Sequence, residues 1–455
     1  MPPEVPVMLP LLALGAGLVV VVVGIAWGRV HPFFALMAAA VTVGAVAAIG
    51  GGNMASLVGV VERATAALGR SAGSIALVIA LAAVIGECLT VSGAADRIVD
   101  AALRFFGASR VGLALAACGL LLAIPVFFDT VFLLLLPLAR GLARRTGKDY
   151  LYYIMALCAG AAAAHGTIPP TPGPLLAAEQ LNLNLAVAIA GGFGAALLPV
   201  AGALAVGRWV AARNVVPPPA VETTATVGAQ PQVGPSPGLL VALLPILLPL
   251  GLIGAFAGAQ ATGGTVPLWL ALAGDKHLAL AAGALAGVML AWPRLPSGAE
   301  RLRGLLGRPL ESVGSIILIT AAGGAFGGML REVGIGEALA SLAAGREVNF
   351  VLLGWGLAAV IRVAQGSSTV AMITTVGVLA PAAAVHGWGT NPLWVFLAIG
   401  YGSLVLSWAN DSGFWLVTRL GGWSERTTLR TWTVVLTSLS VFGLAEVLVL
   451  AAIFP

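Results

Sequence analysis

Two aspartates in this chain stand where a carboxylate is hard to keep. Asp129 closes the run Ile124-Pro125-Val126-Phe127-Phe128-Asp129 between two apolar stretches. Asp411 sits in Ser407-Trp408-Ala409-Asn410-Asp411-Ser412-Gly413, also inside apolar sequence. A charge at membrane depth is expensive unless it is paired or neutralised by a proton. Each aspartate therefore has two readings. It caps a helix N-terminus and accepts backbone N–H bonds, or it carries a proton. Glu87 is a third carboxylate within an apolar run, fit either for coupling or for pairing with an arginine. His165 opens a proline-rich break, and imidazole titrates close to neutrality, which suits proton traffic; a structural histidine in an Ala-rich stretch is the plainer alternative. Asp129, Asp411, His165 and Glu87 are the proton-coupling candidates.

Neutral hydrogen-bonding groups cluster at the same interruptions. Arg362 is followed by Gln365, Gly366, Ser367, Ser368 and Thr369. The glycine permits close backbone approach, and each of the three hydroxyls can donate and accept. Arg362 offers a planar fork for a carboxylate, or it anchors its own segment by pairing with an acid. Thr130 follows Asp129; Thr167, Thr171 and Gly173 lie in the proline-rich break; Asn410 and Ser412 flank Asp411; Phe128 precedes Asp129. All belong to the candidate substrate-binding set, with His165 and both aspartates. An organic anion rich in hydroxyls would need such a surface. Exposed N–H groups at helix breaks add partial positive charge.

The elements that position these residues are interrupted apolar helices. Hairpins are expected at 111–147 and 349–385, and each is followed by a broken helix, at 150–183 and 392–420. Uninterrupted helices are expected near 8–28, 32–50, 72–91, 185–210, 238–257, 277–293, 312–330 and 432–453. Broken helices at membrane depth persist only where they are buried in protein or line a watery cavity. Matched breaks in two halves point to a carrier's substrate site. The segment 213–237, rich in Pro, Val, Thr, Gln and Gly, reads as a cytoplasmic linker between an N-terminal repeat (1–212) and a C-terminal repeat (238–455).

Composition agrees. The chain is 59% hydrophobic and 9% charged, with a mean hydropathy of +1.03, against about 25% charged residues in soluble domains. The expected class is an all-α polytopic membrane protein. The net charge of +5 does not indicate nucleic acid, because the arginines sit in short connections beside apolar segments. Cys88, Cys118 and Cys158 each stand alone and read as packing residues. No metal-ligand spacing and no cofactor motif is present. Trp269, Trp292, Trp388, Trp394 and Trp423 read as interface anchors, and Gly323-Gly324 with Gly327-Gly328 as a close-packing seam.

Charge placement orients the halves. Arg97, Arg104 and Arg110 precede the first hairpin, and Arg140, Arg144, Arg145 and Lys148 follow it, so both its ends are expected inside. The second hairpin starts near Arg346-Glu347 and ends at His386-Gly387-Trp388, so it is expected to open outward. Two inverted repeats follow, each with a re-entrant helical hairpin and a broken transmembrane helix. Arg63 and Arg70 fit poorly, because this arrangement puts them outside.

The motifs Pro125-Val126-Phe127-Phe128-Asp129, His165-Gly166 with Pro169-Pro170 and Pro172-Gly173-Pro174, Arg362 to Ala371, and Asn410-Asp411-Ser412-Gly413-Phe414-Trp415 resemble those of the gluconate permease family. The resemblance implies proton-coupled uptake of gluconate or a related sugar acid across the bacterial inner membrane, by an elevator-like carrier that forms homodimers. The chain departs from the family in carrying Thr171 where its relatives commonly carry His. Other hydroxy acids or D-serine, with proton or sodium coupling, form the alternative cargo. An intramembrane enzyme is the alternative from another class, but no HExxH or GxSxG pattern supports it.

Overall fold

In the computed structural model the described residues are 8–52, 54–107, 110–125, 127–146, 149–214, 216, 237–261, 266–295, 300–335, 338, 349–408 and 411–455. Most of the expected linker, 213–237, lies outside them. The described residues contain helices and no strand. Nine of these helices are long and apolar enough to cross a membrane.

The first half comprises α1 (Met8–Val22), α2 (Pro32–Gly50), α3 (Met54–Val58), α4 (Val60–Val91), α5 (Ala94–Phe106), α6 (Val111–Leu122), α7 (Phe128–Thr146), α8 (Tyr150–Thr167), α9 (Pro172–Gln180) and α10 (Leu185–Arg213). The second comprises α11 (Leu239–Ala261), α12 (Leu268–Ala273), α13 (Lys276–Ala291), α14 (Glu300–Glu332), α15 (Phe350–Gln365), α16 (Ser368–His386), α17 (Pro392–Gly402), α18 (Ser412–Gly421), α19 (Glu425–Arg430) and α20 (Trp432–Ile453). The order repeats: a long helix (α4, α14), a helical pair (α6–α7, α15–α16), a broken helix (α8–α9, α17–α18) and a closing helix (α10, α20). The two halves meet most extensively where α14 lies on α4 and α2, where α10 lies on α20 and where α13 lies on α4.

Local chemistry sets the breaks. Pro169 forces the residue before it out of helical geometry, and Ile168 is accordingly extended at φ −120°, ψ 114°. Pro172 then opens α9, where its missing N–H costs nothing. In the second pair, α15 ends on Gly366 at φ 90°, a left-handed conformation that favours glycine. Ser367 caps α16 by accepting from the Val370 N–H at 3.3 Å. α6 has 12 residues, about 18 Å at 1.5 Å per residue. That is too short for a hydrocarbon core of about 30 Å.

Packing follows from small residues. A Cβ at Gly323 would stand 1.7 Å from Ile373 Cγ2, one at Gly324 2.0 Å from Ser71 Oγ, and one at Gly327 2.8 Å from Gly377 Cα. The glycine seam thus lets α14 lie directly on α4 and α16, as its spacing indicates. All three cysteines are buried and unbridged.

Several expectations need correction. The helices expected at 72–91 and 312–330 begin earlier, at Val60 and Glu300, because their added turns are charged and escape a search for apolar runs. Arg63 is inside α4, paired with Glu332 at 2.6 Å and donating to the Ser56 carbonyl at 3.0 Å. It is a paired helix residue, and its poor fit as a loop charge has that cause. The helix α5 was not anticipated, being amphipathic: it buries Ala94, Ala95, Ile98 and Val99 and carries Asp96, Arg97, Asp100 and Arg104. Trp269 is exposed. Trp423 is half-buried, its indole N–H donating to Thr428 Oγ1 at 3.0 Å.

Candidate functional site

The centre of the site is an ion pair between the α15–α16 pair and the broken helix α17–α18. Arg362, in the last turn of α15, donates through Nη2 to Asp411 Oδ2. The side chains are 4% and 12% exposed, so water scarcely screens the pair. Asp411 is also the N-cap of α18, its Oδ1 accepting from the Gly413 N–H at 2.9 Å. Ser407 donates to Asp411 Oδ2, and the Trp432 indole N–H donates to Ser407 Oγ at 2.7 Å. Thr433 donates to the Ser407 carbonyl. The carboxylate is therefore capped, paired and hydrogen-bonded at once. The Nε and Nη1 groups of Arg362 are buried without a hydrogen-bond partner among the described residues. One side of the guanidinium holds the protein together, and the other retains unused donors.

The first half of the chain comes to the same place. His165 lies within electrostatic range of both Arg362 and Asp411, and its Nδ1 is buried without a partner among the described residues. Asp129 lies within electrostatic range of Asp411. The ring of Phe128 rests on Trp432 with centroids 5.5 Å apart, and its edge reaches 3.6 Å from the position a Cβ on Gly413 would take. Asp129 and Thr130 are exposed, and the Asp129 carboxylate makes no hydrogen bond or ion pair with any described residue. The two aspartates are thus neighbours with different attachments.

Other candidates divide. Thr167 donates to the Ala163 carbonyl at 2.8 Å and Thr171 to that of Ile168 at 2.7 Å. Both hydroxyls serve the break's own backbone. Gly173 is where α9 meets α16: a Cβ there would lie 3.0 Å from Met372 Sδ and 3.5 Å from Thr369 Cα. Ser368 shares a 2.6 Å hydrogen bond with Ser403. Thr369 is half-buried and Ser412 exposed. The Gln365 side chain and Asn410 lie outside the described residues. Glu87 is not brought to the cluster; its electrostatic neighbour is Arg308, on α14. Ser407, Trp432 and Thr433 were not among the expected site residues. Ser407 stands one helical turn before Asp411 in sequence, a spacing that could have flagged it, whereas Trp432 and Thr433 open what reads as a plain span.

Among the described residues no group of three or more His, Cys, Asp and Glu side chains could hold a metal ion. What the arrangement offers chemically is a buried cation with spare donors, a free carboxylate and an imidazole, at the meeting point of four chain interruptions.

Comparison with known proteins identifies the setting. The GntP family permease model matches residues 9–453. The chain is 33% identical to a gluconate permease of Pseudomonas aeruginosa, over 93% of this chain and 94% of that one. It is also 33% identical to a gluconate permease of Zymomonas mobilis, over 96% of each. Among solved structures it resembles MtrF of Neisseria gonorrhoeae, described as illuminating a class of antimetabolite efflux pumps. That likeness has a TM-score of 0.63 and 14% identity, covers 95% of this chain and 97% of the other, and speaks for the fold alone. These relatives are permeases rather than enzymes. The chain belongs to the GntP permease family, as a multi-pass protein of the bacterial inner membrane.

Proposed function

We propose that the protein takes up gluconate or a related sugar acid by proton-coupled symport. The observation that carries this reading is the half-used guanidinium of Arg362. Its Nε and Nη1 donors are buried and unpartnered beside a carboxylate that already satisfies Nη2. A substrate carboxylate would complete the fork. The gluconate permeases among its relatives supply the substrate class. The hydroxyls of Ser367, Ser368 and Thr369, with Gln365, suit the polyol chain of such a substrate.

Asp129 is the proton carrier in this reading. It stands open and unbonded beside a site that binds an anion, whereas Asp411 is committed to Arg362 and to capping α18. A proton on Asp129 would remove a negative charge from the neighbourhood of the incoming carboxylate. His165 is the relay between them. The repeated order of elements supports two repeats of opposite orientation that alternate access by an elevator-like movement, with homodimerisation providing the fixed frame.

The experiment is uptake of labelled gluconate into proteoliposomes under an imposed inward proton gradient, with and without an uncoupler, at constant sodium. Concentrative uptake that the uncoupler abolishes is the expected result. Uptake that follows a sodium gradient instead would sink the proton reading. Proteoliposomes with folded protein and no gluconate uptake would sink the substrate assignment.

A further inference from the structure

The helix that Asp411 caps, α18, ends about 15 Å away at 1.5 Å per residue on an open cleft of about 610 Å³. Trp415, Thr418, Arg419, Trp423, Glu425 and Arg426 line it. Its wall is rigid. The Thr418 and Thr428 hydroxyls share a hydrogen bond of 2.7 Å, and the Trp423 indole is held on Thr428 at 3.0 Å. Arg419 lies over the Trp415 ring, 5.7 Å from its centroid. Neither Arg419 nor Arg426 forms an ion pair or hydrogen bond with a described residue. Two guanidiniums facing one cleft repel each other, and the single carboxylate lining it, Glu425, offsets only one of them.

The same end of α18 is tied to the rest of the site. Arg140 donates to the Leu420 carbonyl, and the Tyr150 hydroxyl donates to that of Gly421 at 3.0 Å. Arg140 shares α7 with Asp129, and Tyr150 opens α8, which carries His165. The three helices whose opposite ends meet at the candidate site are therefore pinned together beside the cleft.

We propose that this cleft binds a phosphate group, carried by an anionic phospholipid headgroup or by a soluble phosphate ester, and that the bound phosphate steadies the junction of α7, α8 and α18. Phosphate offers several oxygens in a compact group, so two guanidinium forks can grip it together. The indoles of Trp415 and Trp423 cover the apolar or polyol part attached to it. Arginine beside tryptophan at a membrane face is the setting in which lipid headgroups are recognised. This binding does not depend on which substrate is carried.

The test uses the full-length protein in phosphatidylcholine nanodiscs. Binding of short-chain phosphatidylglycerol and of glycerol 1-phosphate is measured by titration, and thermal unfolding is followed alongside. Wild-type protein should bind at least one probe and unfold at higher temperature with it. The double variant Arg419→Gln/Arg426→Gln should bind at least tenfold more weakly. Arg104→Gln/Arg110→Gln, which removes the same charge elsewhere, should bind as wild type does. Binding of the lipid alone assigns a headgroup; binding of glycerol 1-phosphate as well assigns a soluble ester. Arg426→Gln alone removes no bond within the described structure, so it tests the cleft, with an expected fivefold loss, even if the double variant misfolds. Binding that is the same in wild type and Arg426→Gln, or no binding of either probe by wild type, overturns the proposal.

Discussion

The two hairpins occupy corresponding places in the two halves, yet their tips are built in opposite ways. The second is polar and closed. Arg362 is 4% exposed and paired with Asp411, Gly366 makes the turn at φ 90°, Ser367 caps the returning helix and Ser368 is bonded to Ser403. The first is apolar and open. Pro125 faces a small apolar cavity with Pro170, Phe128 leans on Trp432, and Asp129 and Thr130 are exposed. A charge with three partners is held in one state, because its removal would strand them. A charge with no partner is free to change state. The comparison thus separates a carboxylate with three partners from one with none, which residue type alone cannot do, and it is on this difference that the proposed proton carrier rests.

The largest test is on stability. Asp411→Asn leaves the Arg362 guanidinium buried without a countercharge, and breaking a buried pair in this way costs about 3–5 kcal/mol. A marked fall in the thermal unfolding temperature of the purified variant is expected. Asp129→Asn, which strands nothing, should unfold close to wild type. The reverse order would break the comparison between the two tips.

Next comes affinity. Arg362→Lys keeps the charge and a contact to Asp411 but loses the planar fork. A hydrogen bond involving a charged group is worth about 1.5–3 kcal/mol, so gluconate should bind roughly ten- to a hundredfold more weakly. Equal affinity in equilibrium binding would reduce Arg362 to a structural anchor. Asp129→Asn should behave differently: proton-driven accumulation is lost, while exchange of labelled for unlabelled substrate at equal pH persists. Accumulation that survives in this variant would move the proton elsewhere.

A smaller effect is expected at the turn of the closed tip. Gly366→Ala places a Cβ in left-handed geometry, at a cost of about 1–2 kcal/mol. A correspondingly lower unfolding temperature is expected, with the ion pair intact. No change would mean that the turn relaxes readily and that the second tip is less rigid than its hydrogen bonds indicate.

Much of this was legible in the sequence because breaks in apolar helices are written in proline, glycine and polar residues. The positions of Ile124–Asp129, Thr167–Thr171, Arg362–Thr369 and Ser407–Gly413 could be read directly. Which partners they take could not. Arg362 and Asp411 lie 49 residues apart, and nothing local couples them. The same holds for Trp432, whose indole reaches Ser407 across 25 residues. Amphipathic α5 escaped because its polar face masks it in any hydropathy window, and Glu87 looked like a site residue because intramembrane carboxylates are scarce, although its neighbour is Arg308.

The finest test contrasts the hydroxyls of the first break with those of the second tip. Thr171 is 4% exposed, and its hydroxyl is spent on the carbonyls of Ile168 at 2.7 Å and His165 at 3.2 Å. Thr171→Val keeps the shape and loses those bonds, a change of about 1 kcal/mol in stability with substrate affinity unaltered. Thr369 is half-buried in the first turn of α16, with no part in a backbone break, so in the proposed reading Thr369→Val should raise the dissociation constant for gluconate severalfold with little change in unfolding temperature. Measured together, the two variants separate a hydroxyl that holds backbone from one that meets substrate. An affinity loss at Thr171 as large as at Thr369 would mean that the first break, too, faces the cargo, and that the two halves share recognition more evenly than their tips suggest.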